Sequence, residues 1–268
     1  MLIDTHCHLD AVEFDADRDE VVVAARRAGV RAMMLPAVER ANFAAVAALC
    51  RDYADRPVCA PAYGIHPLYV ARAQADDLAT LETLCALANA DVQPVAVGEI
   101  GLDRFVAERD DALQTQYFTA QLQIARRATL PVLLHGRRAM DQVLYHLRRI
   151  PVVGGIIHAF NGSRRQADEF IRLGFKLGFG GAMTFPRAHR IRELAATLPL
   201  EAIVLETDAP DIPPEWIATS ARPRNSPDQL PRIAAVLAEL RGLTPAAVAQ
   251  ATTTNALAVL PGLAKIAH

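Results

Sequence analysis

Residues 131–158 read PVLLHGRRAMDQVLYHLRRIPVVGGIIH: an apolar run (Pro131–His135), a stretch with helical apolar spacing (Met140–Arg149), then a second apolar run (Gly155–His158). A strand, a helix and a strand in that order are the sequence mark of a βαβ unit and a parallel sheet. Working outward, the alternation repeats. Met1–Asp4, Arg31–Pro36, Val58–Ile65 and Val95–Ile100 come before this unit, and Phe175–Phe179 and Ala202–Glu206 come after it. Helix-patterned segments separate them at Asp17–Ala28, Ala41–Tyr53, Asp76–Ala90, Asp110–Ala128, Arg164–Leu173 and Ala188–Thr197, with Pro231–Leu240 and Thr244–Ala258 after the eighth run. Eight strand–helix repeats in 268 residues predict an α/β fold, a (β/α)8 or TIM barrel, as one domain over residues 1–268. A doubly wound open sheet is the alternative, but no G-x-G-x-x-G follows the first run, so a dinucleotide site lacks support.

The composition excludes several classes. With 52% hydrophobic and 22% charged residues, the chain is neither disordered nor collagen-like. The net charge of −2 supplies no global cationic field of the kind that grips duplex DNA, so any nucleic acid must be held locally. Cys7, Cys50, Cys59 and Cys85 form no C-x-x-C pair, which argues against a zinc ribbon or disulfide framework and for a reducing compartment. The first residues carry no signal-peptide pattern and no run of about 18 apolar residues occurs, so the expected location is cytoplasmic, without a membrane partner. No obligate protein partner is evident.

In a closed parallel barrel the chemistry lies at the carboxyl ends of the strands. Five of the eight histidines fall there: His6, His8, His66, His135 and His158. His146, His189 and His268 lie on helices or at the tail and read as background. Strand alternation projects His6 and His8 from one face and Cys7 from the other, so Cys7 reads as a small buried hydrophobe and His6-x-His8 as a two-imidazole metal grip. Adding Glu99, His135, His158 and Asp208 gives four imidazoles and two carboxylates at one barrel mouth. Six ligands exceed the needs of one tetrahedral ion. They suit two divalent ions about 3.5–4 Å apart, bridged by a carboxylate. Mixed nitrogen and oxygen donors favour Zn or Mn, with Mg less well matched to imidazole. The only lysines, Lys176 and Lys265, lie far from Glu99, so a carboxylated-lysine bridge at that slot is excluded.

Asp4-Thr-His-Cys-His8, Gly64-Ile-His-Pro67, Gly98-Glu-Ile-Gly-Leu-Asp103, His135-x-Arg137, His158-Ala-Phe-Asn-Gly162 and Glu206-Thr-Asp-Ala-Pro210 together resemble the TatD-type metal-dependent hydrolases. The likeness runs from residue 4 to Asn225, with the motifs in family order. It implies a TIM-barrel deoxyribonuclease-type phosphodiesterase using two divalent cations, with DNA trimmed from a 3′ end. By matching motif, His6, His8 and Asp208 would hold one ion, His135 and His158 the other, and Glu99 would bridge; His66 looks like a substrate-side residue. Gly136 and Asn161 stand where many relatives carry serine, which touches substrate preference and leaves the ligands intact.

Asp208 has two oxygens, one for an ion and one to accept a proton from water, or both for ligation alone. Arg137 and Arg104 are placed either to meet phosphate oxygens or to form surface ion pairs, and His66 to donate to phosphate or pack a loop. Asp4 and Glu206 share strand faces with His6 and Asp208 and are candidates to orient an imidazole, or plain interior polar pairs. The proline-rich segment after the eighth run holds Trp216, for packing on the rim or stacking on a base, and Arg222, Arg224 and Asn225 as a local cationic patch. The expected substrates are DNA ends or short single strands. The alternative is a carboxylic ester or amide, such as an aminoacyl-tRNA ester; a non-enzymatic role with structural metals is disfavoured, because closed structural sites often use thiolates.

Overall fold

The computed structural model describes residues 1–55, 57–86, 92–220 and 223–266. Eight parallel strands stand side by side in chain order: β1 (Leu2–Asp4), β2 (Val30–Pro36), β3 (Val58–Tyr63), β4 (Ala96–Asp103), β5 (Val132–Arg137), β6 (Gly155–Ile157), β7 (Phe175–Phe179) and β8 (Ile203–Leu205). Sequential neighbours throughout rule out the doubly wound sheet, whose strand order reverses at a switch point. The helices are α1 (Arg18–Ala28), α2 (Arg40–Asp52), α3 (Asp77–Ala86), α4 (Asp111–Ala128), α5 (Met140–Arg149), α6 (Arg164–Arg172), α7 (His189–Thr197), α8 (Glu215–Ala218), α9 (Leu230–Arg241), α10 (Pro245–Val259) and α11 (Pro261–Ile266). This is the TIM barrel that the alternation predicts.

The barrel closes between β8 and β1, and the closing bonds lie just beyond the strands. Thr5 N–H donates to the Leu205 carbonyl at 3.1 Å, Asp208 N–H to His6 at 2.8 Å, and His8 N–H to Ala209 at 2.8 Å. The seam therefore carries three of the proposed ligands on its own hydrogen-bonded backbone.

Strand alternation divides the core in two. Ile3, Ala32, Met34, Ala60, Ala62, Ala96, Leu133, Ile156 and Val204 form one buried cluster, joined by Ala256 of α10, Leu263 of α11 and Leu260 between those helices. Met33, Leu35, Val97, Leu134, Ile157, Leu177 and Leu205 alternate with them and pack on the surrounding helices. Thr253 donates to the Met1 carbonyl, and Asn255 to those of Leu200 and Ile203, so α10 closes the amino-terminal end of the barrel. The opposite end stays open for the polar strand ends.

Two boundaries differ from expectation in ways that matter. The third strand stops at Tyr63, which leaves Gly64-Ile65-His66 as a loop. The fourth runs on to Asp103 because Gly101, at φ +151°, lets β4 lie against β5. A Cβ at Gly101 would overlap the His135 carbonyl oxygen. The proline-rich segment is also less irregular than its composition suggests, since it contains the single turn α8. The end of the expected Asp76–Ala90 helix lies outside the described residues.

Candidate active site

At the open end, Glu99 lies inside β4 with its carboxylate among five imidazoles. Its Oε1 is 2.9 Å from His158 Nε2, 3.0 Å from His135 Nδ1 and 3.5 Å from His66 Nε2. Its Oε2 is 3.1 Å from His6 Nε2 and 3.5 Å from His8 Nε2. Asp208 Oδ1 adds to the second group, 3.6 Å from His6 Nε2 and 3.7 Å from His8 Nε2. One carboxylate thus presents one oxygen to each of two donor sets.

Hydrogen bonds on the far sides of the rings fix where the lone pairs point. A carbonyl oxygen only accepts, so His8 Nδ1 donates to Pro36 O at 3.2 Å, and its bare Nε2 faces two carboxylate oxygens. His135 Nε2 donates to Asp103 Oδ2 at 3.0 Å, which leaves Nδ1 bare, facing Glu99 and 3.2 Å from His158 Nε2. A lone pair held against a carboxylate calls for a cation between them, and this donor chemistry fits divalent metal ions. His66 has the opposite polarity. The Leu68 N–H donates to its Nδ1 at 3.2 Å, so the neutral ring carries its proton on Nε2 and offers a donor to the pocket.

The electrostatics agree. Burial and the charge of His158 pull His6 down to about 3, and burial likewise takes His66 to about 3. Burial opposes charge on His158 too, but Glu99, Asp208 and Glu206 outweigh it and push that ring up to about 10. Burial raises Glu99, yet the surrounding imidazoles win and hold its carboxyl well below the usual range. The cluster draws positive charge to its centre. Three triads have ligand atoms within 4.8 Å of one another: His6–Glu99–His158, His6–His8–Asp208 and His66–Glu99–His135.

Behind the cluster, Asp4 ties the seam together. Its Oδ1 accepts from Thr207 N at 2.9 Å and His6 N at 3.3 Å, and its Oδ2 accepts from Thr207 Oγ1 at 2.5 Å. Burial pushes this carboxyl up to about 7, against those hydrogen bonds. Glu206 accepts from Ala159 N at 2.5 Å and lies 3.9 Å from His158 Nδ1; burial pushes it up to about 8. Both carboxylates brace backbone beside a histidine, and neither ring-orienting hydrogen bond considered for them is present.

The mouth is a cavity of about 870 Å³, lined by His8, His66, Glu99, His135, His158 and Asp208 together with Arg137. Arg104 is not among the lining residues, because its guanidinium pairs with Asp111 at the start of α4. Arg224 is spoken for as well, donating to Asp17 at 2.6 and 2.8 Å, while buried Asn225 donates to the Thr207 carbonyl at 2.6 Å. Trp216 packs on the rim, with Nε1 donating to Gln229 and Arg232 lying over its ring. Arg222 and His268 lie outside the described residues. Cys7 is fully buried in the outer core. Sequence reasoning missed Asp103, the partner of His135. Its signal was present in Gly101-Leu102-Asp103, but ending the strand at Ile100 detached it from the barrel. Tyr69 and Arg72, also in the lining, sit at the start and end of a single 3-10 turn (Val70–Arg72), too short for a periodic pattern to mark them.

A family model described as TatD related DNase matches residues 3–261. An uncharacterized metal-dependent hydrolase of Escherichia coli K12, YjjV, is 42% identical over 94% of this chain and 95% of the relative. Human deoxyribonuclease TATDN3 is 31% identical, over 98% of this chain and 95% of its own length. The crystal structure of YjjV superposes with a TM-score of 0.90 at 39% identity, covering 97% of this chain and 98% of that one. A TatD family hydrolase from Entamoeba histolytica, at 18% identity and a TM-score of 0.84, shares the fold over 97% of both chains. With the whole barrel matched and its mouth lined by histidines and carboxylates, the chain belongs to the TatD-related DNase family of metal-dependent hydrolases.

Proposed function

We propose that this protein is a phosphodiesterase that trims DNA ends, working from the 3′ terminus, with two divalent cations held by His6, His8 and Asp208 on one side, by His135 and His158 on the other, and by Glu99 between. The observation that carries this reading is the division of the Glu99 oxygens between two sets of imidazole nitrogens, all at 3.5 Å or less. Cations bound there polarise a phosphoryl group and make water more acidic. Asp208, with one oxygen toward His6 and His8, takes the proton of the attacking water on the other. His66 presents a neutral N–H and Arg137 its guanidinium to oxygens that gain charge as the bond to the leaving group lengthens. The name of the human relative, a deoxyribonuclease, supports a nucleic acid substrate.

A second reading has an observation in its favour. Asp10, Glu13, Glu39 and Asp211 line the same cavity, an acidic surround better suited to one phosphate, or to an amine-bearing carboxylic ester such as an aminoacyl-tRNA end, than to a row of phosphates. Metal-reconstituted protein should be given a single-stranded oligonucleotide with a free 3′ end, an aminoacyl ester and a lactone. The proposal expects mononucleotide release from the first. Hydrolysis confined to the carbonyl substrates would overturn it in favour of the second reading.

A further inference from the structure

Of the arginines around the mouth, most are already neutralised. Arg104 pairs with Asp111, Arg224 with Asp17, and Arg72 lies 3.7 Å from Glu39. Arg137 differs. It lines the cavity, is exposed, and makes neither an ion pair nor a side-chain hydrogen bond among the described residues. Its guanidinium carbon instead sits 3.6 Å from the centre of the Phe105 ring, in the loop that follows β4; Arg138, equally unpaired among the described residues, lies over the same ring at 4.7 Å but does not line the cavity. A guanidinium resting on an aromatic face keeps its N–H donors in the plane of the fork, free for an anion.

Phe105 is 45% exposed, with its ring face open to the guanidinium above it. Its place is fixed by the carboxylate that fixes a proposed ligand. Asp103 Oδ1 accepts from Phe105 N at 2.7 Å and Val106 N at 3.4 Å, while Asp103 Oδ2 accepts from His135 Nε2 at 3.0 Å. The Arg104 N–H donates to the Arg137 carbonyl at 2.8 Å and the register pairs Asp103 with Arg137, so ring and guanidinium are carried by adjacent, bonded backbones. One carboxylate therefore sets both the imidazole and the platform for the arginine.

We infer that Phe105 is a positioning residue that holds Arg137 as an anion clamp over the reaction centre, and that the clamp takes the non-bridging oxygens of a phosphoryl group. This deepens the phosphodiesterase reading and rests on it for the choice of phosphate. Phe105 itself touches no reacting atom; it acts by keeping Arg137 off the neighbouring acidic residues of the rim and in reach of the substrate.

The test is calorimetric binding of thymidine monophosphate, and separately of inorganic phosphate, to metal-loaded wild type and to Phe105→Leu, Phe105→Tyr, Arg137→Ala and Phe105→Leu/Arg137→Ala proteins. Leucine keeps apolar bulk but removes the aromatic face, and an unchanged melting temperature checks that the loop has not collapsed. The inference expects Phe105→Leu to weaken binding roughly fivefold, Phe105→Tyr to restore it, and Arg137→Ala to weaken it on the order of tenfold to a hundredfold. The double variant should match Arg137→Ala within about twofold, since the ring acts only through the arginine. In turnover kcat should fall as well as KM rise, because the guanidinium meets oxygens that gain charge in the transition state, and Phe105→Tyr should restore both. Wild-type affinity in Phe105→Leu, independent losses in the double variant, or no phosphate binding by wild type would overturn the clamp. The function fails separately, if wild type binds thymidine monophosphate yet cleaves only carbonyl substrates.

Discussion

At the scale of single residues, the site depends on which atom of each side chain is left without a proton. Glu99 must present two acceptors. In Glu99→Gln one of them becomes an N–H donor, so one of the two donor sets loses its shared oxygen. The expected result is a fall in bound metal, read by elemental analysis, with hydrolysis reduced more than a hundredfold and the circular dichroism spectrum intact. Asp103→Asn is subtler. Two backbone amides already claim Oδ1, so the new amide nitrogen turns toward His135 and its N–H can no longer accept from Nε2. The ring must then hold its proton on Nδ1, away from the ligating form. Metal affinity should drop on the order of tenfold to a hundredfold for one ion and stay near wild type for the other, seen as a second, weaker phase in a metal titration.

At the scale of elements, the β8–β1 seam carries its own pH dependence. Asp4, buried among Thr207 and the His6 amide, titrates at about 7 in the fold, against about 3.9 in an unfolded chain. A raised acid binds more protons folded than unfolded, so its contribution is fully present below about pH 4 and is lost as pH rises through about 7. Asp4→Asn stays neutral and can still accept from Thr207 N and donate to Thr207 Oγ1. In chelator-treated protein the margin by which the variant melts above wild type should be smallest near pH 4 and widen to roughly 5–10 °C by pH 8; a margin that does not change with pH would count against the assignment. Elements also decide what was legible in the sequence. His6-x-His8 could be read because strand alternation alone puts both rings on one face. The eight runs could be read because apolar periodicity survives burial. Asp103 could be read as a motif residue but not as the partner of His135, because the continuation of β4 depends on a glycine that lets two backbones approach, a tertiary fact. Nor could the occupation of Arg104 and Arg224, since their partners Asp111 and Asp17 are set by loop packing, and nothing in a charge pattern distinguishes a free guanidinium from a paired one.

At the scale of the whole molecule, the barrel separates stability from chemistry along its axis. Leu263 of α11 is fully buried in the cluster that closes the amino-terminal end, away from the proposed metal ligands at the open end. Leu263→Ala should cost about 2–5 kcal/mol in denaturant unfolding while metal content and kcat hold at temperatures where the variant is folded. The same axis governs how substrate arrives. The chain carries 28 Lys+Arg against 30 Asp+Glu, no helix of the described residues is long and apolar enough to cross a membrane, and among the described residues Arg137 is the one lining arginine without a carboxylate partner. A protein that tracks a phosphate backbone with many cations releases many counterions, and its affinity falls steeply with salt, with a log–log slope of about −0.7 per phosphate on a single strand. Here the side chains offer one such contact. For a 3′-ended single strand at saturating metal, the slope of log affinity against log salt should therefore be about −0.7, one contact's worth, and should not steepen as the strand lengthens from a few nucleotides to twenty. In Arg137→Ala it should fall to near zero. A slope growing with strand length would mean that a cationic track exists along the surface, and that the acidic lip of the cavity does not confine recognition to the strand end.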